Sequence, residues 1–176
     1  MHALRHLRLC VLLLPLACAA LGACATGGAH YESLNDLSQA IVGAVASEDP
    51  AQLRALVATR AELEALADSL KLSAEDRAKL VASVEKRRAD FDRRWAALVA
   101  ASKEGGFALK DVAFERLMPT ETTVEKGVTF ALKDLDIRVT VKGKLGWLID
   151  VETCIRTLSG WRLADPEVEL ERVGTD

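Results

Sequence analysis

Apolar residues recur along the chain at helical spacing first and at strand spacing later. Leu34, Leu37, Ile41 and Val45 form one apolar stripe, which predicts a helix ending near Ser47. Asp49 followed by Pro50 predicts a second, short helix, with the carboxylate as cap and the proline at the first helical position. Thr59 and Glu62 have the spacing of a reciprocal cap, placed before the stripe Leu63, Leu66 and Leu70. Ser73 opens one long helix, predicted from about Ala74 to Glu104 and ending on Gly105 and Gly106. Its apolar stripe is Leu80, Val84, Phe91, Trp95 and Leu98, with Lys86, Arg87 and Arg88 filling a gap. Glu75 with Lys79, and Asp90 with Arg94, stand four apart, so each pair can meet on the helix surface.

From Phe107 onward the period changes to two. Val112 and Phe114 alternate with polar residues, and so do Val128, Phe130 and Leu132. The parity then flips to Leu135, Ile137, Val139 and Val141, which predicts a bulge or bend. Trp147, Ile149, Val151, Thr153 and Ile155 would share a face opposite Asp150, Glu152, Cys154 and Arg156. Ser159 and Gly160 turn the chain into Trp161–Leu163. Helices followed by consecutive antiparallel strands make the class α+β: N-terminal helices, one of them long, packed on a curved meander sheet.

The first residues depart from this pattern. Arg5 and Arg8 form a short basic start, and the uncharged run Leu9–Leu21 is interrupted by Pro15. That run falls short of the ~20 apolar residues a spanning helix needs, and it reads as a secretory signal. It closes on Leu21-Gly22-Ala23-Cys24, which resembles the lipobox of bacterial lipoproteins. The resemblance implies cleavage before Cys24, a lipid on its thiol, acylation (palmitate or a similar chain) of the new amine, and attachment to a membrane. Ala25 after the cysteine, rather than Asp, implies the outer membrane, with the protein facing the periplasm. The expected division is 1–23 signal, 24–31 flexible tether and 32–176 a single α+β domain.

Removal of the signal changes the charge and the cysteine count. Taking Arg5 and Arg8 from the 23 basic residues leaves 21 against 26 acidic ones, a formal charge of about −5. That balance argues against a nucleic-acid footprint and against a polybasic membrane patch. Cys10 and Cys18 leave with the signal and Cys24 is taken by lipid, so Cys154 remains with no partner for an internal disulfide.

A second resemblance lies in the domain. The step Glu48-Asp49-Pro50 after the first helix, then helices, then a meander closing on Gly160-Trp161-Arg162-Leu163-Ala164-Asp165, resembles the cystatin-like superfamily, which includes nuclear-transport-factor-2-like domains. The resemblance implies a curved sheet wrapped on helices. Enzymes of isomerase or cyclase type that use a pocket carboxylate belong to that superfamily, and so do many noncatalytic binding domains.

Candidate chemistry is sparse. His2 and His6 fall in the signal and His30 in the tether, and no Cys or His pair has metal-ligand spacing, so neither metal nor cofactor is expected. No Ser-His-Asp or Cys-His set can be assembled. Asp150 and Glu152 are the candidate catalytic carboxylates, if they face a cavity. The sheet alternation instead predicts them on the solvent side. Cys154 is a candidate thiol, with Arg156 two residues on, and the competing reading is a small, semi-buried strand residue. Phe107, Phe114, Phe130, Trp147 and Trp161 could line a pocket for a lipid or small apolar ligand, although strand aromatics are more often plain core. The leading expectation is a membrane-tethered, noncatalytic domain that binds a partner protein or small ligand. The alternatives are a carboxylate-dependent enzyme and a structural subunit of an envelope assembly that uses Arg87 and Arg88 as its contact.

Overall fold

The computed structural model describes residues 29–132, 135–165 and 167–173. The secretory segment, Cys24 and residues 25–28 of the tether lie outside the described residues.

Among the described residues, five α-helices come first. Helix α1 (Leu34–Ala46) starts on a reciprocal cap between Ser33 and Asp36 and buries Leu37, Ile41, Val42 and Val45. Helix α2 (Pro50–Arg54) is capped by Asp49, whose carboxylate accepts from the Ala51 amide at 2.9 Å. Helix α3 (Arg60–Ser69) carries the predicted Thr59–Glu62 cap. The predicted long helix is two helices, α4 (Ala74–Ala89) and α5 (Phe91–Glu104), broken at Asp90. Asp90 takes φ −88° and ψ 0°, outside helical geometry. Aspartate is a poor helix former. The break falls in the gap of the apolar stripe, between the buried side chains of Val84 and Phe91. Glu75 and Lys79 pair at 2.5 Å as expected, whereas Asp90 lies 3.4 Å from Arg93 and Arg94 is engaged elsewhere.

The described residues of the second half form eight strands: β1 (Val112–Leu117), β2 (Thr122–Glu125), β3 (Val128–Leu132), β4 (Ile137–Val141), β5 (Lys144–Val151), β6 (Thr153–Thr157), β7 (Gly160–Leu163) and β8 (Val168–Arg172). They form two antiparallel sheets, ordered β1-β4-β5-β8 and β2-β3-β6-β7. Strands β1/β2, β3/β4, β5/β6 and β7/β8 hold matching positions in the two sheets. The pairing is therefore that of one four-stranded meander, each strand of which bends out of one sheet into the other. The parity flip read between Leu132 and Leu135 falls between β3 and β4, across residues 133–134, which lie outside the described residues, and Glu152 marks the bend from β5 to β6. Lys126-Gly127 and Lys142-Gly143 each place two consecutive residues at positive φ (50° and 85°, 52° and 72°), the geometry of two-residue hairpin turns.

The core lies between sheet and helices. Helix α1 packs on β1, and α5 packs on β8. Ile137, Val139, Ile149 and Val151 are fully buried beneath them. Cys154 was read as a reactive thiol or a small, semi-buried strand residue, and Cys154 and its neighbour Ile155 are both fully buried. Adjacent strand residues point to opposite faces, so this part of the sheet is covered on both sides. The closing strand was expected to be Trp161–Leu163, but the chain runs on past Asp165 into β8, which pairs with β5 from Trp147↔Arg172 to Val151↔Val168.

The folded part also begins earlier than the expected boundary at residue 32. Tyr31 forms a parallel bridge to Gly160, with the Trp161 amide donating to the Tyr31 carbonyl at 2.7 Å. Further along, the Ala58 amide donates to the Leu163 carbonyl at 2.9 Å and the Leu163 amide to Leu56 at 3.0 Å. The outer edge of β7 is thus closed by two backbone segments, which removes an edge that could pair with other chains. Gly160 makes this possible. It sits at φ +94°, and a Cβ there would overlap the Tyr31 carbonyl oxygen and lie 2.9 Å from its carbon.

Candidate functional site

The closing segment Gly160–Asp165 is buried throughout, and its two charged side chains explain why. Arg162, 2 % exposed, donates from Nε to Glu62 of α3 at 2.8 Å and from Nη1 to the Ala29 carbonyl at 2.5 Å. Its guanidinium also lies 5.6 Å from the centre of the Tyr31 ring. Burial alone would raise the Glu62 pKa. Hydrogen bonds from the Thr59 amide, Arg162 and the Thr59 hydroxyl outweigh it, and hold the carboxyl below its ordinary value. Asp165, 3 % exposed, faces Arg87 of α4 at 3.3 Å and Arg94 of α5 at 3.3 Å, and Arg94 also pairs with Glu167. Three helices and the N-terminal segment are therefore joined to β7 and the residues just after it by two buried charges. Sequence reasoning singled out the motif but not this role, because the partners stand 71 to 133 residues away.

This arrangement also reassigns the basic residues in the gap of the α4 stripe. Arg87 serves Asp165, and Arg88 donates to the Ala58 carbonyl at 3.4 Å. Both were offered as the contact of an envelope assembly, and both are half-buried against the protein's own chain.

The two candidate carboxylates are not brought together over a reaction space. Asp150 is half-buried in β5, on the face opposite Ile149 and Val151, in register with Glu169 of β8. Glu152 is exposed at the bend. Cys154 carries a free, fully buried thiol, and burial pushes its pKa up, the direction opposite to that of a reactive cysteine. Its neighbour Arg156 turns away, with Nη1 donating to the Glu32 carbonyl at 3.2 Å and the guanidinium 5.8 Å from the Trp161 ring. Among the described residues, no group of three or more His, Cys, Asp or Glu gathers in a way that could hold a metal ion.

The five candidate aromatics separate. Trp161 is buried in β7, Phe130 pairs with Ile155 in one sheet, and Phe114 pairs with Val139 in the other. Phe107 and Trp147 alone meet, edge to face, with ring centres 4.7 Å apart. They pack over Gly105, where a Cβ would lie 2.5 Å from Phe107 and 2.6 Å from Trp147. The pair floors an open groove of about 630 Å³ between the end of α5 and the β4–β5 turn. Lys142, Lys144 and Arg172 rim it, with Glu104 as the acid on the helix side. Lys142 also lies 3.7 Å from Asp111. An aromatic floor with a cationic rim suits an acidic segment that carries an apolar side chain. The cations escaped the sequence reading because they come from the β4–β5 turn and from β8. Only the Lys142-Gly143-Lys144 spacing hinted at them.

Comparison of the chain with known protein families, with curated proteins and with solved structures finds no match to any of them. Among the described residues, no helix is long and apolar enough to cross a membrane.

Proposed function

We propose that this protein is a bacterial envelope lipoprotein, held to the periplasmic face of the outer membrane by lipid on Cys24, whose folded domain binds a partner. The observation that carries the anchor is Leu21-Gly22-Ala23-Cys24 at the end of a short apolar run behind a basic start. Binding is favoured over catalysis by where the reactive groups sit. Cys154 is sealed in the core, Glu152 stands in water, and Asp150 belongs to the sheet face away from the buried residues. We assign the binding surface to the groove floored by Phe107 and Trp147.

The domain is further proposed to be cystatin-like. Four bent strands in continuous meander order, preceded by helices, support that reading. The five helices, with α4 and α5 end to end, depart from the shorter helical set of such domains.

The test is affinity purification of the full-length protein from gently solubilised envelopes, beside Cys24→Ser and Lys144→Glu versions. A stoichiometric partner that is reduced by Lys144→Glu and lost with Cys24→Ser supports the reading. A partner retained by both variants counts against the groove and the anchor alike. A small molecule turned over by the purified domain, and not by Asp150→Asn, would replace binding with catalysis.

A further inference from the structure

We infer that the end of the sheet bearing the β2–β3 and β6–β7 turns is a second membrane contact, which lies on the bilayer that holds the lipid anchor. The inference rests on the proposed anchor at Cys24 and adds which face of the domain the bilayer meets.

Among the described residues the exposed large hydrophobic side chains are Val124 (63 %) and Leu158 (61 %). They come from different hairpins, yet the register brings them to one end of one sheet. Val124 pairs with Thr129, and Phe130 pairs with Ile155, so Thr129 stands level with Arg156. Arg156 in turn pairs with Trp161. Val124, Thr129, Arg156 and Trp161 therefore form one row on one face, and Val124 and Arg156 are two strand spacings, about 10 Å, apart. Leu158 lies two residues beyond Arg156, at the tip of the β6–β7 turn. The apolar pair is thus flanked by the exposed Arg156, which also donates to the Glu32 carbonyl, and, on the β2–β3 turn, by Lys126, whose side chain is 66 % exposed and pairs with Asp76 of α4. Apolar tips with cations beside them suit the headgroup boundary, where long basic side chains reach phosphates while the apolar groups enter the acyl region.

The path of the chain identifies the occupant. Tyr31 runs parallel to β7 at Gly160, so the backbone upstream of Tyr31 heads toward the β6–β7 turn. Ala29 is held beside β7, its carbonyl accepting from Arg162, whose side chain leaves the face opposite the row of Val124 and Trp161. Only five residue steps separate Ala29 from Cys24, at most about 18 Å of extended chain. An acylated Cys24 therefore holds this end of the domain at the bilayer surface, and Leu158 is at that end. The groove floored by Phe107 and Trp147 lies beside the β4–β5 turn, at the far end of the bent strands, and faces the periplasmic space.

The experiment uses the lipidated full-length protein in vesicles of phosphatidylethanolamine and phosphatidylglycerol. An environment-sensitive fluorophore is placed at Val124→Cys, Leu158→Cys or Lys142→Cys, the buried Cys154 being protected from label. Spin-labelled lipid should quench the labels at 124 and 158 several-fold more than the one at 142. Equal, weak quenching at all three sites, with lipid found on Cys24 by intact mass and protein floating with the vesicles, overturns the second contact and leaves the anchor standing. Labels at 124 and 158 shielded from both lipid and aqueous quenchers assign the patch to a protein partner, and also overturn it. An unmodified Cys24 with no flotation removes the anchor, and the second contact with it.

Discussion

Arg162→Met keeps most of the apolar stem and removes the guanidinium, which isolates what the buried charge does. The substitution deletes the 2.8 Å bond to Glu62, the 2.5 Å bond to the Ala29 carbonyl and the cation beside Tyr31. Glu62, with its side chain 17 % exposed, is then left against an apolar group while still capping α3 through Thr59. Removing one partner of a buried pair costs about 3–5 kcal/mol, and the residual cap and solvent access place this case near the lower end, about 3 kcal/mol. For a domain of this size that lowers Tm by roughly 6–12 °C. The assay is urea unfolding at neutral pH of the wild type, Arg162→Met, Glu62→Gln and the double variant. The double variant should recover about 1.5 kcal/mol relative to additivity, since the isolated charge is gone. A loss below about 1 kcal/mol for Arg162→Met, with strictly additive effects, would refute the claim that this pair joins α3 to β7.

Four further outcomes follow from the same contacts. Gly160→Ala should destabilise by about 2–4 kcal/mol, from strain at φ +94° and loss of the Tyr31 bridge, measured by thermal unfolding; hydrogen exchange at the Trp161 amide should rise with it. Arg87→Glu should weaken folding rather than act only on a partner, because it sets a second carboxylate against buried Asp165; a variant with wild-type unfolding that loses its partner would restore Arg87 as an external contact. Cys154 should resist thiol reagents in the native protein and react on unfolding in urea, as its burial and raised pKa require. Glu62 is depressed on folding, so its contribution is present above the unfolded value and lost as pH falls through the lower folded value. Stability should therefore drop below about pH 4.5, with a shallower slope in Glu62→Gln.

The helix starts were legible because capping is local. Asp49, Thr59 and Ser73 each accept from an amide two or three residues ahead, and such contacts are written in adjacent residues. The passage from β3 to β4 was also legible, since a parity flip must show as a shift of the apolar positions. The break at Asp90 was not. Its neighbours keep helical composition, and the break falls where Arg87 and Arg94 converge on Asp165, more than seventy residues later in the chain. Strand β2 was missed because Thr122–Glu125 buries no face, and β8 because Glu169 and Glu171 read as a polar tail. The full burial of Cys154 was illegible for a related reason. Alternation assigns a residue to a face, but it cannot say whether that face is covered. The candidate site shows the same limit. Phe107 and Trp147 were visible as aromatics, while the cations that give their groove its character arrive from other strands.

The central claim is attachment through Cys24, and intact-mass analysis of the protein extracted from its own envelope tests it most directly. The account predicts a chain that begins at Cys24, carrying a diacylglyceryl group on sulfur and an acyl chain on the new amine. A chain that retains residues 1–23, or one that begins at residue 24 with a free thiol, would contradict it.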